Sequence, residues 1–263
     1  MRTIHEFLLD EHLLKARTER SVFRINADKY DLHPKTKAAL RETAAHMLMD
    51  GITDLNDIDT SAITDMSDLF NMSSFYIGAK YKLLPNGDDG LRKDHITDIQ
   101  IDRWDTSNVK KMCSMFDSCT YMTCEPGSWD VSKVKDMSFM FSNCDSFDGD
   151  IGDWKTTSLH DMQHMFCKCR KFNSDISKWY VGDVEEMEFA FSYCTSFDCD
   201  ISGWDVSNVS DFRCMFKECT SFKHDLSAWA VGGKNGGKVV DIRGIFENCP
   251  APHPKWYTDQ KVY

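Results

Sequence analysis

Tryptophan recurs at positions 104, 129, 154, 179, 204 and 229, five consecutive steps of 25 residues. Phenylalanine keeps the same interval at 116, 141, 166, 191 and 216, with Phe70 before the run and Phe246 after it. Cys119, Cys144, Cys169, Cys194 and Cys219 follow in phase, and Cys249 closes that series. Further columns run Phe147, Phe172, Phe197, Phe222 and Ile151, Ile176, Ile201, Leu226, the second preceded at each step by an aspartate (Asp150, Asp175, Asp200, Asp225). A period of this length marks a solenoid, in which each unit buries its apolar face only against its neighbours.

Two irregularities place the loops. Ile58 in "IDTSAIT" holds the slot that Trp104 holds in "WDTSNVK", so residues 58–70 make a first rung. The step between them is 46, about 21 residues too long, and the turn-rich stretch 78–95 is the expected insertion. Trp229 to Val239 takes ten residues where other units take five, and the surplus is a glycine-rich loop at 232–237. Counting Phe70 through Phe246 gives seven rungs.

Ahead of the rungs lie two helix candidates. Ile4, Phe7, Leu8, Leu13 and Leu14 recur at roughly helical spacing over 3–17. A second helix is expected over 35–49, after Pro34 and before Gly51, with Ala44, Ala45, Met47 and Leu48 on its apolar side. A solenoid needs a terminal cap, and residues 1–50 suit that role. Residues 51–249 form the repeat domain, and the proline-rich tail 250–263 reads as an extended strap.

Within a unit, "SNVxDMxxMFxxC" packs β-branched and apolar residues into a short span, which predicts one short strand per rung. Strands stacked this way are parallel and about 4.8 Å apart. The unit "F-x-x-D-I-S-x-W-D-V-S-N-V-x-D-M-x-x-M-F-x-x-C" resembles the BspA-like surface-protein repeat of bacterial and mycoplasmal lipoproteins and of protist and large-virus proteins, across residues 52–249. That family is grouped with the leucine-rich repeats. The resemblance implies a leucine-rich-repeat-like solenoid of short parallel β-strands, about seven rungs, under an α-helical N-terminal cap. It also implies protein–protein interaction or adhesion, with no catalytic residues.

The formal net charge is −11, and the first 50 residues are nearly neutral, so the acidity belongs to the repeats. Such a surface disfavours nucleic acid, which needs clustered Lys and Arg, and favours a protein partner with a basic segment. No apolar run suits a signal segment or a membrane span. The eleven cysteines are an odd number and are expected to stay thiols, in the cytoplasm, elsewhere inside a cell or in a virion.

His160, His164, Cys167 and Cys169 place four soft ligands within ten residues, a spacing that invites zinc. Cys169 already belongs to the buried column, and on a strand the others do not converge on one point, so no metal is expected. The aspartate columns invite calcium, but the glycine-rich nonapeptide of calcium-binding solenoids is missing, and turn formation accounts for them. No nucleophile-elbow, P-loop or zincin motif is present, and neither an enzyme nor a cofactor is expected.

The surface expected to bind is the strand face. Alternation sends Met112, Met137, Met162, Met187 and Phe212 inward. The flanking columns then face out, and the candidate binding residues among them are Asp136, Asp161, Gln163, Glu186, Glu188, Asp211 and Arg213. Strict alternation would also expose Met115, Met140, Met165 and Met215, unless a bend tucks them in, which is the preferred arrangement. The function expected is a non-catalytic interaction scaffold. The alternative is a structural or assembly component of a virus particle or surface layer, with self-association an open possibility.

Overall fold

A computed structural model describes residues 29–73, 97–233 and 239–259. The chain divides into two compact units, Met1–Asp31 and Leu32–Tyr263. Of the first unit only residues 29–31 are described, and there the Lys29 ammonium lies 5.4 Å from the Tyr30 ring centre. The expected helix over 3–17, the insertion 78–95 and most of the loop 232–237 lie outside the described residues.

The second unit opens with helix α1, Lys37–Met49. The Thr36 side chain caps its start by accepting from the Ala39 amide at 3.2 Å. It ends where Gly51, at φ 78°, lets the Gly51 and Ile52 amides bond back to Leu48 and Met47, the left-handed C-cap that favours glycine. Leu40, Ala44, Ala45, Met47 and Leu48 are buried. Lys37 ties the helix to the first repeat, through Ser67 at 2.7 Å and Asp65 at 3.2 Å.

Each repeat then lies on the next, in the register read from the spacing. Parallel bridges run in one line through Asp65, Lys111, Asp136, Asp161, Glu186, Asp211 and Asp241. The offset of Lys111 from Asp65 carries the long first step, and Asp241 from Asp211 the extra loop.

The β-strand solenoid expected from the sequence does not form. Pairing is confined to isolated one-residue bridges, with no strand and no sheet among the described residues. The physical reason sits in the M-x-x-M-F spacing. Both methionines and the phenylalanine must be buried, and period-two backbone cannot send residues i and i+3 to one side. The chain turns instead. Ser114, Phe139, His164, Phe189 and Cys214 each take left-handed backbone, φ 52° to 57°, and four residues later Ser118, Asn143, Lys168, Tyr193 and Glu218 do so again, φ 58° to 65°. Tight turns close within a coil, as from the Met140 amide to the Met137 carbonyl (3.1 Å). The intervening amides reach the following coil, as from Phe139 to Gln163 (2.9 Å) and from Phe141 to Met165 (2.9 Å). Met112, Met137, Met162, Met187 and Phe212 are buried, and so are Met115, Met140, Met165 and Met215, so the bend is what the chain adopts.

The core is a set of ladders. Phenylalanine rings from Phe70 to Phe246 stack with centroids 5.5 to 5.9 Å apart. Each indole Nε1 donates to a carbonyl of the preceding coil, as from Trp179 to Ile151 at 3.0 Å and from Trp229 to Ile201 at 3.1 Å. The thiols of Cys144, Cys169, Cys194 and Cys219 do the same, toward Phe116, Phe141, Phe166 and Phe191 at 2.9 to 3.0 Å. The ladders thus bury aromatic area and satisfy carbonyls that the turns leave free.

The tail departs from the expected extended strap. Residues Lys255–Asp259 form a short helix, α2, which brings Trp256 onto Trp229 at 6.4 Å and 9° between planes. Its Nε1 donates to Leu226 at 3.0 Å. Trp256 therefore extends the tryptophan column by one place.

Candidate functional site

The expected outward residues fall into two groups. Asp136, Asp161, Glu186 and Asp211 stand directly over one another in the bridge line, all partly buried. Their carboxylates are not idle. Asp136 accepts from the Ser138 amide (3.0 Å) and hydroxyl (2.7 Å), and Asp161 from the Gln163 amide (2.9 Å) and side chain (3.1 Å). Asp211 accepts from the Arg213 amide at 2.9 Å. These bonds to the amide two residues on are Asx turns, and they hold the chain as it enters each left-handed position. Asp175, Asp200 and Asp225 do the same for Ser177, Ser202 and Ser227, which gives the aspartate column its turn-forming role.

The second group is organised by Arg213. Its guanidinium meets Asp211 and Glu188 at 2.7 Å each and Asp241 at 3.6 Å, joining three coils. Glu188 and Asp211 are thereby occupied, with side chains only 20% and 15% exposed. At the other end of the column Lys37 neutralises Asp65. Asp161 and Glu186, between those ends, have no cation partner among the described residues. Burial pushes the Asp161 carboxyl above the usual range, with the neighbouring Asp136 charge adding to the shift. Burial does the same for Glu186, where Asp211 and Asp161 add like-charge repulsion.

Sequence reasoning missed the strip beside this column. Phe139, His164 and Phe189 stack in parallel at 4.4 and 4.6 Å, partly exposed, three residues after Asp136, Asp161 and Glu186. They occupy the left-handed positions. The signal was present as a column of 25-residue spacing, but Ser114 and Cys214 in the same column obscured it.

The four candidate zinc ligands separate. His160 is exposed and contacts the Ser158 carbonyl at 2.6 Å, whereas His164 lies in the aromatic stack. Cys167 is buried, its thiol pushed up to about 11 by burial, and Cys169 donates to Phe141. Among the described residues no three His, Cys, Asp or Glu side chains are grouped to hold a metal ion. No helix among them is long and apolar enough to cross a membrane.

No curated protein and no solved structure matches the chain. The family described as "Mycoplasma protein of unknown function, DUF285" matches twice, over residues 91–191 and 149–257. Those matches overlap and together span more than half of the sequence: the chain belongs to the DUF285 family.

Proposed function

We propose that the protein is a non-catalytic interaction scaffold that docks a basic protein segment along the acidic column at Asp136, Asp161 and Glu186. One observation carries the reading. Arg213 and Lys37 neutralise the two ends of the column, while Asp161 and Glu186 lie beside other carboxylates with no cation partner among the described residues. A lysine or arginine from a partner relieves that repulsion in the way Arg213 does for Glu188 and Asp211. The resemblance of the repeat to BspA-like units, a family of interaction and adhesion modules, supports the same reading.

The test uses the full chain as bait against extract of its source cell, beside an Asp161→Asn/Glu186→Gln variant. Asn preserves the Asx turn and removes the charge, so the melting temperature should stay within a few degrees. Proteins held by the wild type should be lost from the variant and released as salt rises toward 0.5 M (about 4 Å Debye length). Their retention should also weaken as pH falls, because Asp161 and Glu186, with raised pKa values, lose charge before an ordinary carboxylate does. An identical set of proteins on both baits overturns the reading.

A further inference from the structure

The aromatic stack ends abruptly. In the left-handed column Phe139 is followed toward the N-terminus by Ser114 and then Asp68, at φ 57°, 54° and 56°. At Ser114 the column narrows to a hydroxymethyl group. Among the described residues the outer face of the Phe139 ring has no ring over it, whereas its inner face lies 4.4 Å from His164. Asp68 stands two coils from Phe139, about 10 Å at the spacing of parallel bridged backbone. Among the described residues, no ring stands at the level of Ser114 between them.

Two carboxylates and one cation belong to this place: Asp68, Asp117 and, in the bridge line of the same coil, Lys111. Asp68 accepts from the Asn71 amide group at 2.9 Å, and Asp117 from Ser118 at 3.2 Å and Asn143 at 3.3 Å, all neutral donors that leave each carboxylate its charge. Asp117 lies close enough to the column for its charge to act on His164. Burial nevertheless holds His164 below the ordinary histidine range, with Arg213 adding to that and Asp117 opposing it, so the stack is neutral at pH 7 and does not repel an incoming cation. A flat aromatic face beside two carboxylates suits a guanidinium. It is planar and weakly hydrated, it stacks on a ring, and its N–H edge is left free for carboxylates. An ammonium is a compact, strongly hydrated point charge and is less suited to stacking flat on the ring while it meets both carboxylates.

We propose that the place over Ser114, between the Phe139 ring and the carboxylates of Asp68 and Asp117, receives an arginine side chain of a basic protein partner. This rests on the docking of such a partner along the acidic column, and it names the residue that anchors it. The column supplies non-selective attraction, and the slot selects arginine over lysine.

The experiment measures anisotropy of three labelled nine-residue peptides on the full chain: one with arginine at alternate positions among glycines, one with lysine there, one with phenylalanine. The arginine peptide should bind about fivefold or more tightly than the lysine peptide, with the phenylalanine peptide weakest. Phe139→Leu keeps apolar bulk without the ring and should bring arginine down to the lysine level. Ser114→Phe fills the slot with a residue that the same left-handed column already accepts at 139 and 189, and should do likewise while the protein stays folded. Asp161→Asn/Glu186→Gln should weaken the arginine and lysine peptides alike. Equal binding of arginine and lysine, or full arginine binding by Ser114→Phe, overturns the slot and leaves the acidic column standing. Loss in Ser114→Phe with no effect of Asp161→Asn/Glu186→Gln overturns the column and leaves the slot. If neither basic peptide binds at 1 mM, or the phenylalanine peptide binds best, both fail.

Discussion

Cysteine keeps the buried place that its spacing implied, and the structure adds the partners of its sulfurs. The column of thiols was legible as a buried ladder, but not what the sulfurs do. Each S–H points at a phenylalanine carbonyl one coil back, as in Cys169 to Phe141 at 2.9 Å, so the thiol works as a weak donor inside the core. A thiolate there loses that donation and its hydration, and burial pushes Cys144, Cys169, Cys194 and Cys219 well up. Cys113, Cys214 and Cys249 are only partly buried, and Cys113 is pushed up to about 11, again chiefly by burial. In folded protein at pH 8, iodoacetamide should therefore modify Cys214 and Cys113 first. The buried column thiols Cys144, Cys169, Cys194 and Cys219 should react about a hundredfold more slowly, becoming equivalent only after unfolding. Peptide mapping by mass spectrometry reads this directly, and labelling of those buried thiols as fast as Cys214 would sink it.

At the scale of the element, the repeating unit is a ribbon of turns bearing one bridge. The column Met112, Met137, Met162, Met187 and Phe212 is buried as expected, yet the period-two reading of the backbone was wrong, because three buried positions within five residues require a turn. Glycine marks it in the last coil alone, at Gly244 with φ 68°. Serine, phenylalanine, histidine, lysine and asparagine occupy the left-handed positions, held there by bonds to the next coil. That conformation costs a non-glycine residue about 1–2 kcal/mol. Lys168 is exposed at φ 64°, with its amide on Ser192 at 2.7 Å. Lys168→Gly should raise stability by about 0.5 kcal/mol, the gain partly offset by the freer unfolded chain. Lys168→Val should lower it by about 1–2 kcal/mol, since a β-branched side chain is a poor fit to positive φ. Urea unfolding of the two variants should move the midpoint in opposite directions, and movement in the same direction would argue against a strained position.

For the whole molecule, cohesion comes from ladders that end at covered faces. Trp179 lies mid-column, and Trp179→Ala should cost about 3–5 kcal/mol by leaving a large cavity. Trp256 lies on the last face, stacked on Trp229 and near Phe246 at 6.1 Å, so Trp256→Ala should cost about 1–3 kcal/mol rather than almost nothing. Thermal melting compares the two, and a Trp256→Ala melting temperature within a degree of wild type would remove the tail from the column. The sequence by itself determined the interval, the tryptophan, phenylalanine, isoleucine and cysteine columns between Phe70 and Cys249, and the places where the register is interrupted. It could do so because equivalent residues in a stack share one environment, and counting along the chain is enough to find them. Only the tertiary structure decided how the backbone bends between Met112 and Met115, which carboxylates Arg213 and Lys37 neutralise, and where Trp256 lands. Those depend on atoms one coil away: a carbonyl that receives an amide, a charge that finds its counter-ion, a ring with an open face.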